Sequence, residues 1–337
     1  MSITVIKPGL LSSFHDMGRF GYQHLGVSAG GAMDSRAHRL ANLLVGNPKN
    51  EATLEVTLAG PTLRFDAAAC IAISGANLSP TLNNEPVPNN RPLIIRPNDI
   101  LAFGARVSGT RAYIAWNGGI DLPIVLGSRS TYLRGGFGGF HGRALRKDDV
   151  FALRAGLDTT RHNLERLEED LWRIKVYLPA ILGQMPRSAI RVMRSAHTNW
   201  FTDESVQEFF SSEYRVSAAS DRMGYRLEGK TLGMKSAAQM LSEATCFGSI
   251  QVPPDGKPIV LMADRQTTGG YPKIAHVATV DLSTLAQYMP GEALRFVEIG
   301  LPQAQQLDSQ REEAFGRLEQ TLKPLRDLFD QDSGLPA

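Results

Sequence analysis

The chain has 337 residues, of which 42% are hydrophobic, so it can bury a core large enough for one large domain or two of ordinary size. Thirty-six basic residues against 34 acidic ones leave a formal charge of +2. This near-neutral balance excludes a general electrostatic footprint for nucleic acid or an anionic membrane, so binding partners must be inferred from local sites.

Cysteine use and hydropathy favour a cytoplasmic protein. Cys70 and Cys246 are far apart in sequence and each sits among apolar residues, which is typical of buried reduced thiols rather than of a disulfide framework. Residues 1–7 alternate like a strand and lack the apolar core of a signal peptide. No later apolar run approaches the ~20 residues that cross a bilayer, so we expect no membrane partner.

Short apolar runs separated by turn residues fill most of the chain. Pairs such as Pro8-Gly9, Asn83-Asn84 and Pro253-Pro254 provide the turns. This spacing is typical of antiparallel β architecture, either a barrel or a sandwich. In chain order we predict strands at residues 53–58, 70–74, 93–95, 112–115, 189–193, 249–252, 259–263 and 294–299.

Helices are predicted at a few places. Residues 33–45 repeat apolar side chains at helical spacing, and Gly46 follows as a stop. A second helix is predicted over residues 160–175, where leucines recur among charged residues. A third is predicted between Gln303 and Phe329, with a weakly ordered tail after it.

A series of motifs runs along the chain: DMGRFGY at residues 16–22, GGAMD at 30–34, GGID at 118–121 with GSRST at 127–131, DRMGYRL at 221–227 and QTTGGYP at 266–272. In this order they resemble the carboxyltransferase-domain family of the C subunit of bacterial 5-oxoprolinase, also called allophanate hydrolase subunit 2. The resemblance covers nearly the whole chain. One departure is His15, where a glutamine is expected before the first motif.

The resemblance implies a mainly β fold of two cyclophilin-like antiparallel β-barrels with a few short helices. We divide the chain into a first barrel half at residues 1–165, a second at 166–310, and a C-terminal helix and tail at 311–337. Segments can be exchanged between the halves, so these boundaries are approximate.

The resemblance also implies one component of a multi-subunit, ATP-dependent cyclic-amide hydrolase, 5-oxoprolinase, which opens 5-oxoproline to L-glutamate. Its partners would be the B and A subunits of 5-oxoprolinase. An ATP site would be shared with or supplied by those partners. Because HExxH and CxxC motifs are missing, we expect no metal.

Two other classes of function stay open. The chain could be a carboxyltransferase-like component acting on urea-type amides, because the same domain family occurs in biotin-dependent urea carboxylase. It could instead be a non-catalytic regulatory partner of the B-subunit protein, since some relatives are named as antagonists of a sporulation-kinase inhibitor. A biotin carrier protein would favour the first, and a stable complex without turnover would favour the second.

The loop before the first predicted helix is a candidate anion cradle. The backbone N–H groups of Gly30 and Gly31 and the helix dipole could together hold a carboxylate or phosphate. Asp34 would handle a proton or orient the substrate. The structural alternative is that the glycines only form a tight turn and Asp34 caps the helix.

Two arginines, each with a nearby tyrosine, are candidates for substrate binding. Arg19 with Tyr22, and Arg222 with Tyr225, could each form a fork for a substrate carboxylate. The alternative is again structural: each arginine pairs with a neighbouring aspartate in sequence, and the tyrosines fill the barrels.

A last polar cluster surrounds a short apolar run near the C-terminal end. Glu243 is a candidate general base whose pKa partial burial would raise, and Asp264 is its candidate partner. Gln266, Tyr271 and Lys273 would contact the substrate around a glycine-rich turn. Alternatively, Glu243 meets a basic side chain across the barrel, Asp264 caps a turn and the lysine is solvated.

The loops at residues 30–34 and 264–273 are far apart in sequence but carry most of these candidates. We expect them to converge on one cleft between the two halves, since a substrate site needs polar groups from more than one element.

Overall fold

A computed structural model of the chain describes residues 1–157, 163–183, 189–236 and 240–330. The chain divides by its internal contacts into two compact units. The first unit comprises Met1–Gly18, Asp34–Gly183 and Glu313–Ala337, and the second comprises Arg19–Met33 and Gln184–Glu312.

Short strands build the first unit. Among its described residues they are β1 Ser2–Lys7, β2 Leu11–His15, β3 Thr53–Thr57, β4 Thr62–Phe65, β5 Ala69–Asn77, β6 Pro80–Leu82, β7 Glu85–Pro86, β8 Pro92–Ile95, β9 Ile100–Phe103, β10 Ser108–Trp116 and β11 Val150–Ala152. They form antiparallel sheets in the orders β11-β1-β4-β9-β6-β7 and β2-β3-β10-β5-β8. Alternate side chains such as Ile3 and Val5 are fully buried in one apolar core, as the period of a strand requires.

Helix α1, Ser35–Leu44, packs against β5 and β10. It begins at Asp34, whose side chain accepts a hydrogen bond from the Ala37 amide at 2.9 Å. It ends before Gly46, whose φ of 75° lies in the left-handed region that glycine adopts without strain. The helix predicted over residues 33–45 is therefore confirmed.

The second unit is a closed barrel. Its strands, within the described ranges, are β12 Ala189–Arg194, β13 Tyr214–Val216, β14 Gly224–Glu228, β15 Glu243–Ala244, β16 Ser249–Gln251, β17 Ile259–Leu261, β18 Thr268–Gly269, β19 Lys273–Val277 and β20 Ala293–Glu298. The barrel order is β12-β19-β16-β17-β14-β13-β20, and β15 pairs with β18 in a separate ribbon. Its pairs are antiparallel except β12 with β20, which run parallel. The predicted mainly β fold class is confirmed.

The remaining helices are α2 Leu164–Arg173, α3 Asp203–Ser211, α4 Thr279–Leu285, α5 Leu301–Thr321 and α6 Lys323–Asp330. Residues 160–162 of the second predicted helix, and the tail after residue 330, lie outside the described residues. The predicted C-terminal helix is present as α5 and α6, and Pro324 at the start of α6 has no N–H to continue a longer helix. Within the described ranges, no helix is both long enough and apolar enough to cross a membrane.

Candidate functional site

Arg222 and Asp264 form a buried ion pair beyond the end of the β14–β17 ladder. The ladder pairs Gly224 with Leu261, and the Asp264 amide donates to the Arg222 carbonyl at 2.8 Å. The guanidinium donates twice to the carboxylate, from Nε to Oδ2 at 2.9 Å and from Nη2 to Oδ1 at 3.1 Å. The side chains are only 5% and 6% exposed. This bidentate contact is the strong, geometrically specific form of an ion pair.

The structure corrects the expected pairing of Arg222 with its sequence neighbour Asp221. The Asp221 carboxylate instead accepts hydrogen bonds from the Met223 and Gly224 amides, at 2.8 and 3.2 Å, and shapes the turn before β14. The two carboxylate oxygens of Asp264 meet the guanidinium of Arg222 rather than a turn amide, and a catalytic role for Asp264 beside Glu243 stays a prediction.

The loop with Gly30 and Gly31 belongs to the same unit and lies against this ion pair. Arg222 Nη2 donates to the Gly31 carbonyl at 2.6 Å. A Cβ atom on Gly30 would lie 3.5 Å from Asp264 Oδ1 and 3.6 Å from Arg19 Nη1. Gly30 and Gly31 have φ angles of 60° and 91°, which favour glycine. Gly30 of the first loop therefore does meet Asp264 of the second, whereas a cleft between the two halves stays a prediction.

Arg19 joins the chain before the Gly30–Gly31 loop to the residue that precedes Gly30. Its amide donates to the Ala29 carbonyl at 2.8 Å, and its side chain is 1% exposed. Ser28 Oγ donates to the Ala263 carbonyl at 3.4 Å. Arg19 and Arg222 are both buried, so in this structure they hold the loop in place, and their contact with a substrate stays a prediction.

A second polar cluster surrounds Lys273 at the start of β19. Its ammonium group donates to Glu243 Oε1 and, at 2.8 Å, to the Ala244 carbonyl. The lysine side chain is 5% exposed, whereas that of Glu243 is 43% exposed. The alternative in which Glu243 meets a basic side chain is therefore observed, and the solvated lysine is not.

The expected rise in the pKa of Glu243 is wrong. Its hydrogen bond with Lys273 lowers the pKa of the carboxyl, and nearby positive charge acts in the same direction. Burial opposes this effect, but Glu243 is too exposed for burial to dominate. Glu243 is therefore ionised at neutral pH, as a proton acceptor must be.

His197 joins this cluster although nothing in the sequence pattern pointed to it. Its Nδ1 accepts a hydrogen bond from the Lys273 amide at 3.3 Å, and its Nε2 lies 3.7 Å from Glu243 Oε1. The ring also packs on Trp200, with 4.6 Å between centroids. Because Nδ1 accepts, the proton of a neutral ring is on Nε2 and faces the carboxylate.

Gln266 and Tyr271 lie near this cluster through the β15–β18 pair, which places Glu243 opposite Gly269. Gln266 Nε2 donates to Gln251 Oε1 at 3.3 Å, and Gln251 Nε2 donates to the Tyr271 carbonyl at 3.4 Å. Tyr271 is 46% exposed. Gln251 is thus a linking residue that the sequence did not single out.

The two remaining tyrosines make contacts of a structural kind. Tyr225 is buried in the barrel core, and its hydroxyl donates to the Tyr288 carbonyl at 3.4 Å. This geometry matches the structural alternative. Tyr22 lies in a turn, where its carbonyl accepts from the Leu25 amide at 3.0 Å. A contact of either tyrosine with a substrate stays a prediction.

Asp34 lies in a buried network of the first unit. Besides capping α1, its amide donates to Tyr113 Oη at 2.7 Å, and the Tyr113 hydroxyl donates to Glu55 Oε2 at 2.7 Å. Burial raises the pKa of Tyr113 well above its usual value, with the nearby carboxylates adding to the effect. The capping alternative is therefore observed, and a proton-handling role for Asp34 stays a prediction.

Asp16 links two of the sequence motifs within the first unit. Its carboxylate accepts hydrogen bonds from Ser128 and Ser130 Oγ at 2.7 and 2.6 Å, and from the Arg129 and Gly18 amides at 2.6 and 2.8 Å. Burial alone would raise the pKa of Asp16, but these hydrogen bonds together lower it. The motifs at residues 16–22 and 127–131 thus meet for a structural reason.

The cluster of Lys273, Glu243 and His197 can do the most chemistry. A buried ammonium can stabilise an oxyanion, and an ionised carboxylate beside an imidazole can accept a proton. Over the part of the chain that the structure describes, no group of three His, Cys, Asp or Glu side chains could hold a metal ion.

The sequence profile of the carboxyltransferase domain, subdomain A and B, matches residues 25–298. The chain is similar to proteins named as the C subunit of 5-oxoprolinase from Haemophilus influenzae, 38% identical over 89% of this chain and 92% of the relative, and from Escherichia coli, 34% identical over 94% and 97%. It also resembles the crystal structure of the K. lactis urea amidolyase, with a TM-score of 0.83 and 31% identity. That likeness covers 94% of this chain but 20% of the amidolyase.

Proposed function

Because the chain belongs to the family of the carboxyltransferase domain, subdomain A and B, we propose that it is the C subunit of a 5-oxoprolinase. The assembled enzyme would open 5-oxoproline to L-glutamate with hydrolysis of ATP. The observation that carries this proposal is the match to relatives of that name, which covers 89% and 94% of this chain and 92% and 97% of their lengths.

The chemistry of the reaction indicates what each component of the assembly would have to provide. A five-membered lactam is a resonance-stabilised amide, so its carbonyl carbon is a poor electrophile. ATP supplies a phosphoryl group that turns the lactam oxygen into a leaving group. The nucleotide site would be shared with or supplied by the partner proteins, the A and B subunits, and this chain would provide groups for the lactam.

Lys273 and Glu243 are suited to the steps that follow. The buried ammonium would stabilise the negative charge of the phosphoryl group carried by the lactam oxygen. Water adds to the activated carbon, the C–N bond breaks as the nitrogen takes up a proton, and hydrolysis of the resulting acyl phosphate releases phosphate and glutamate. The ionised Glu243 would accept a proton from the attacking water, and His197 would hold that carboxylate in position. The buried Arg222–Asp264 pair would keep the Gly30–Gly31 loop in the shape that a carboxylate requires.

Co-purification from the native cell tests this proposal. A tagged chain should bring down two partner proteins, and the purified complex should release glutamate from 5-oxoproline only when ATP is present. A chain that purifies alone, or a complex that forms no glutamate, would refute it.

A second candidate is a carboxyltransferase-like component acting on urea-type amides. The fold match to the K. lactis urea amidolyase favours it, although this chain spans only 20% of that protein. This function requires a biotin carrier, so avidin blotting of the co-purified proteins and a urea-dependent assay distinguish the two candidates. A biotinylated partner with urea-dependent ATP consumption would replace the first proposal with the second.

A further inference from the structure

A cysteine, a serine and a histidine meet at the surface of the second unit. Cys246 Sγ lies 3.1 Å from Ser249 Oγ and 3.5 Å from His276 Nδ1, and the serine oxygen lies 3.2 Å from the same nitrogen. The β16–β19 pair places Ser249 opposite His276. The Cys246 amide donates to Ser249 Oγ at 3.2 Å, so the backbone also holds the group together.

The two thiols of the chain differ sharply. Cys70 is buried on β5 as predicted, and burial raises the pKa of its thiol, whereas the predicted burial of Cys246 is wrong, because that residue is exposed. The hydrogen bond with His276 lowers the pKa of Cys246 to about 7, against 9.0 for an ordinary thiol, although burial opposes the shift. The contacts with Ser249 and the positive charge of Arg265 add to the lowering. Glu243 in turn interacts with His276.

We propose that Cys246 is a nucleophilic thiolate, positioned by His276 and Ser249, and a site of oxidation by small hydroperoxides. The thiolate sulfur attacks one peroxide oxygen, and the O–O bond breaks. The sulfur loses two electrons and becomes a sulfenic acid, while the leaving hydroxide or alkoxide takes a proton to become water or an alcohol. The exposure of Cys246 admits the peroxide.

The expected reactivity follows from two opposing effects. At pH 7 a thiol with a pKa of about 7 carries roughly 50 times more thiolate than an ordinary one. Its intrinsic nucleophilicity is roughly tenfold lower, because reactivity falls as the pKa falls. Cys246 should therefore react about fivefold faster than an ordinary thiol at pH 7, and about tenfold slower above about pH 10. This crossing of the two pH profiles is specific to an activated thiolate.

Alkylation of the full-length protein with iodoacetamide measures the reactivity of Cys246 as a function of pH. In the native protein one equivalent should add, at Cys246, with a rate midpoint near pH 7. After denaturation Cys70 should react as well, with the midpoint of an ordinary thiol, so the chain contains its own reference. A native midpoint at the value of the denatured protein, or no labelling of Cys246, would overturn the proposal.

Variants separate the role of His276 from simple exposure. His276→Gln keeps a polar side chain but removes the imidazole. Its plot of alkylation rate against pH should cross that of the wild type, because Cys246 in the variant should react more slowly at pH 7 and faster at pH 10. Ser249→Ala should shift the midpoint in the same direction by less. His24→Gln, an exposed histidine of the same unit, is the matched control and should change nothing. Identical profiles for His276→Gln and wild type would refute the positioning role. If that variant does not fold, the wild-type midpoint decides.

Oxidation is tested with hydrogen peroxide and a dimedone probe that traps sulfenic acids. One adduct should form, at Cys246, and none should form in Cys246→Ser. His276→Gln should form it about fivefold more slowly at pH 7. Adducts at Cys70 alone, or none in the wild type, would contradict oxidation at this site.

Discussion

Breaking the buried Arg222–Asp264 pair should cost far more stability than breaking a surface pair of the same geometry. Arg194 and Glu298, in the same unit, also make a bidentate contact, with Nε to Oε1 at 2.7 Å and Nη2 to Oε2 at 3.0 Å. Their side chains are 48% and 44% exposed, against 5% and 6% for the buried pair. The two pairs therefore differ mainly in burial.

The size of the effect follows from this difference. Removing one partner of a buried pair leaves the other charge out of water and costs about 3–5 kcal/mol, whereas an exposed pair contributes about 0–1 kcal/mol. Arg222→Met also takes a donor from the Gly31 carbonyl, so we expect a loss of about 4 kcal/mol or more. The double variant Arg222→Met/Asp264→Leu removes both charges and should lose only about 1–3 kcal/mol. This remaining loss is the cost of leaving the Gly31 carbonyl without its donor.

Amide hydrogen exchange in β16 and β17 measures the free energy of opening of this unit directly. Arg222→Met should speed exchange there by roughly 700-fold, and Arg194→Met by less than about fivefold, since 1.4 kcal/mol is a factor of ten. If Arg222→Met does not fold while the Arg194→Met control does, that outcome also supports the larger stability loss predicted for the buried pair. Exchange rates for the two single variants within about fivefold of each other would refute the reasoning.

Other predictions concern the first unit and the candidate site. Asp34→Ala should destabilise α1 by about 0.5–2 kcal/mol through loss of its cap, seen as faster exchange of the Ala37 amide. Because folding lowers the pKa of Asp16, its stabilising effect is complete above the usual value of 3.8 and is lost as pH falls through the folded pKa. Acid titration followed by circular dichroism should therefore show a loss of stability at low pH, and this loss should be smaller in Asp16→Asn. Lys273→Met should lower glutamate release by the assembled complex roughly 100-fold, whereas Lys257→Met, at an exposed lysine, should not.

Much of the fold was predictable because its elements are local. Each strand predicted from an apolar run bounded by turn residues overlaps an observed strand, and Gly46 correctly ends α1. The resemblance to the family of the 5-oxoprolinase C subunit is confirmed by relatives 38% and 34% identical to the chain. The meeting of Gly30 with Asp264 was also predicted, because a substrate site needs polar groups from more than one element.

The pairing of side chains was less predictable, because it depends on strand register. Arg222 was expected to pair with Asp221, but the β14–β17 register brings it to Asp264 instead. Glu243 was expected to gain a raised pKa from burial, but the β15–β18 ribbon leaves it exposed beside Lys273.

Clusters of side chains from several elements were not predictable from the sequence. His197 comes from the turn after β12 and reaches Glu243, which lies in β15. Cys246, Ser249 and His276 likewise come from a turn and two different strands. No fixed spacing in the sequence records such contacts, since they form only when the barrel closes.

The central claim, that this chain is a required component of a 5-oxoprolinase, is tested most directly by add-back. Partner proteins purified from cells that lack this chain are mixed with increasing amounts of it, and the initial rate of glutamate formation from 5-oxoproline and ATP is measured. We expect no glutamate without the chain and a rate that rises and then saturates at a fixed ratio of chain to partners. Equal rates with and without the chain would contradict the claim.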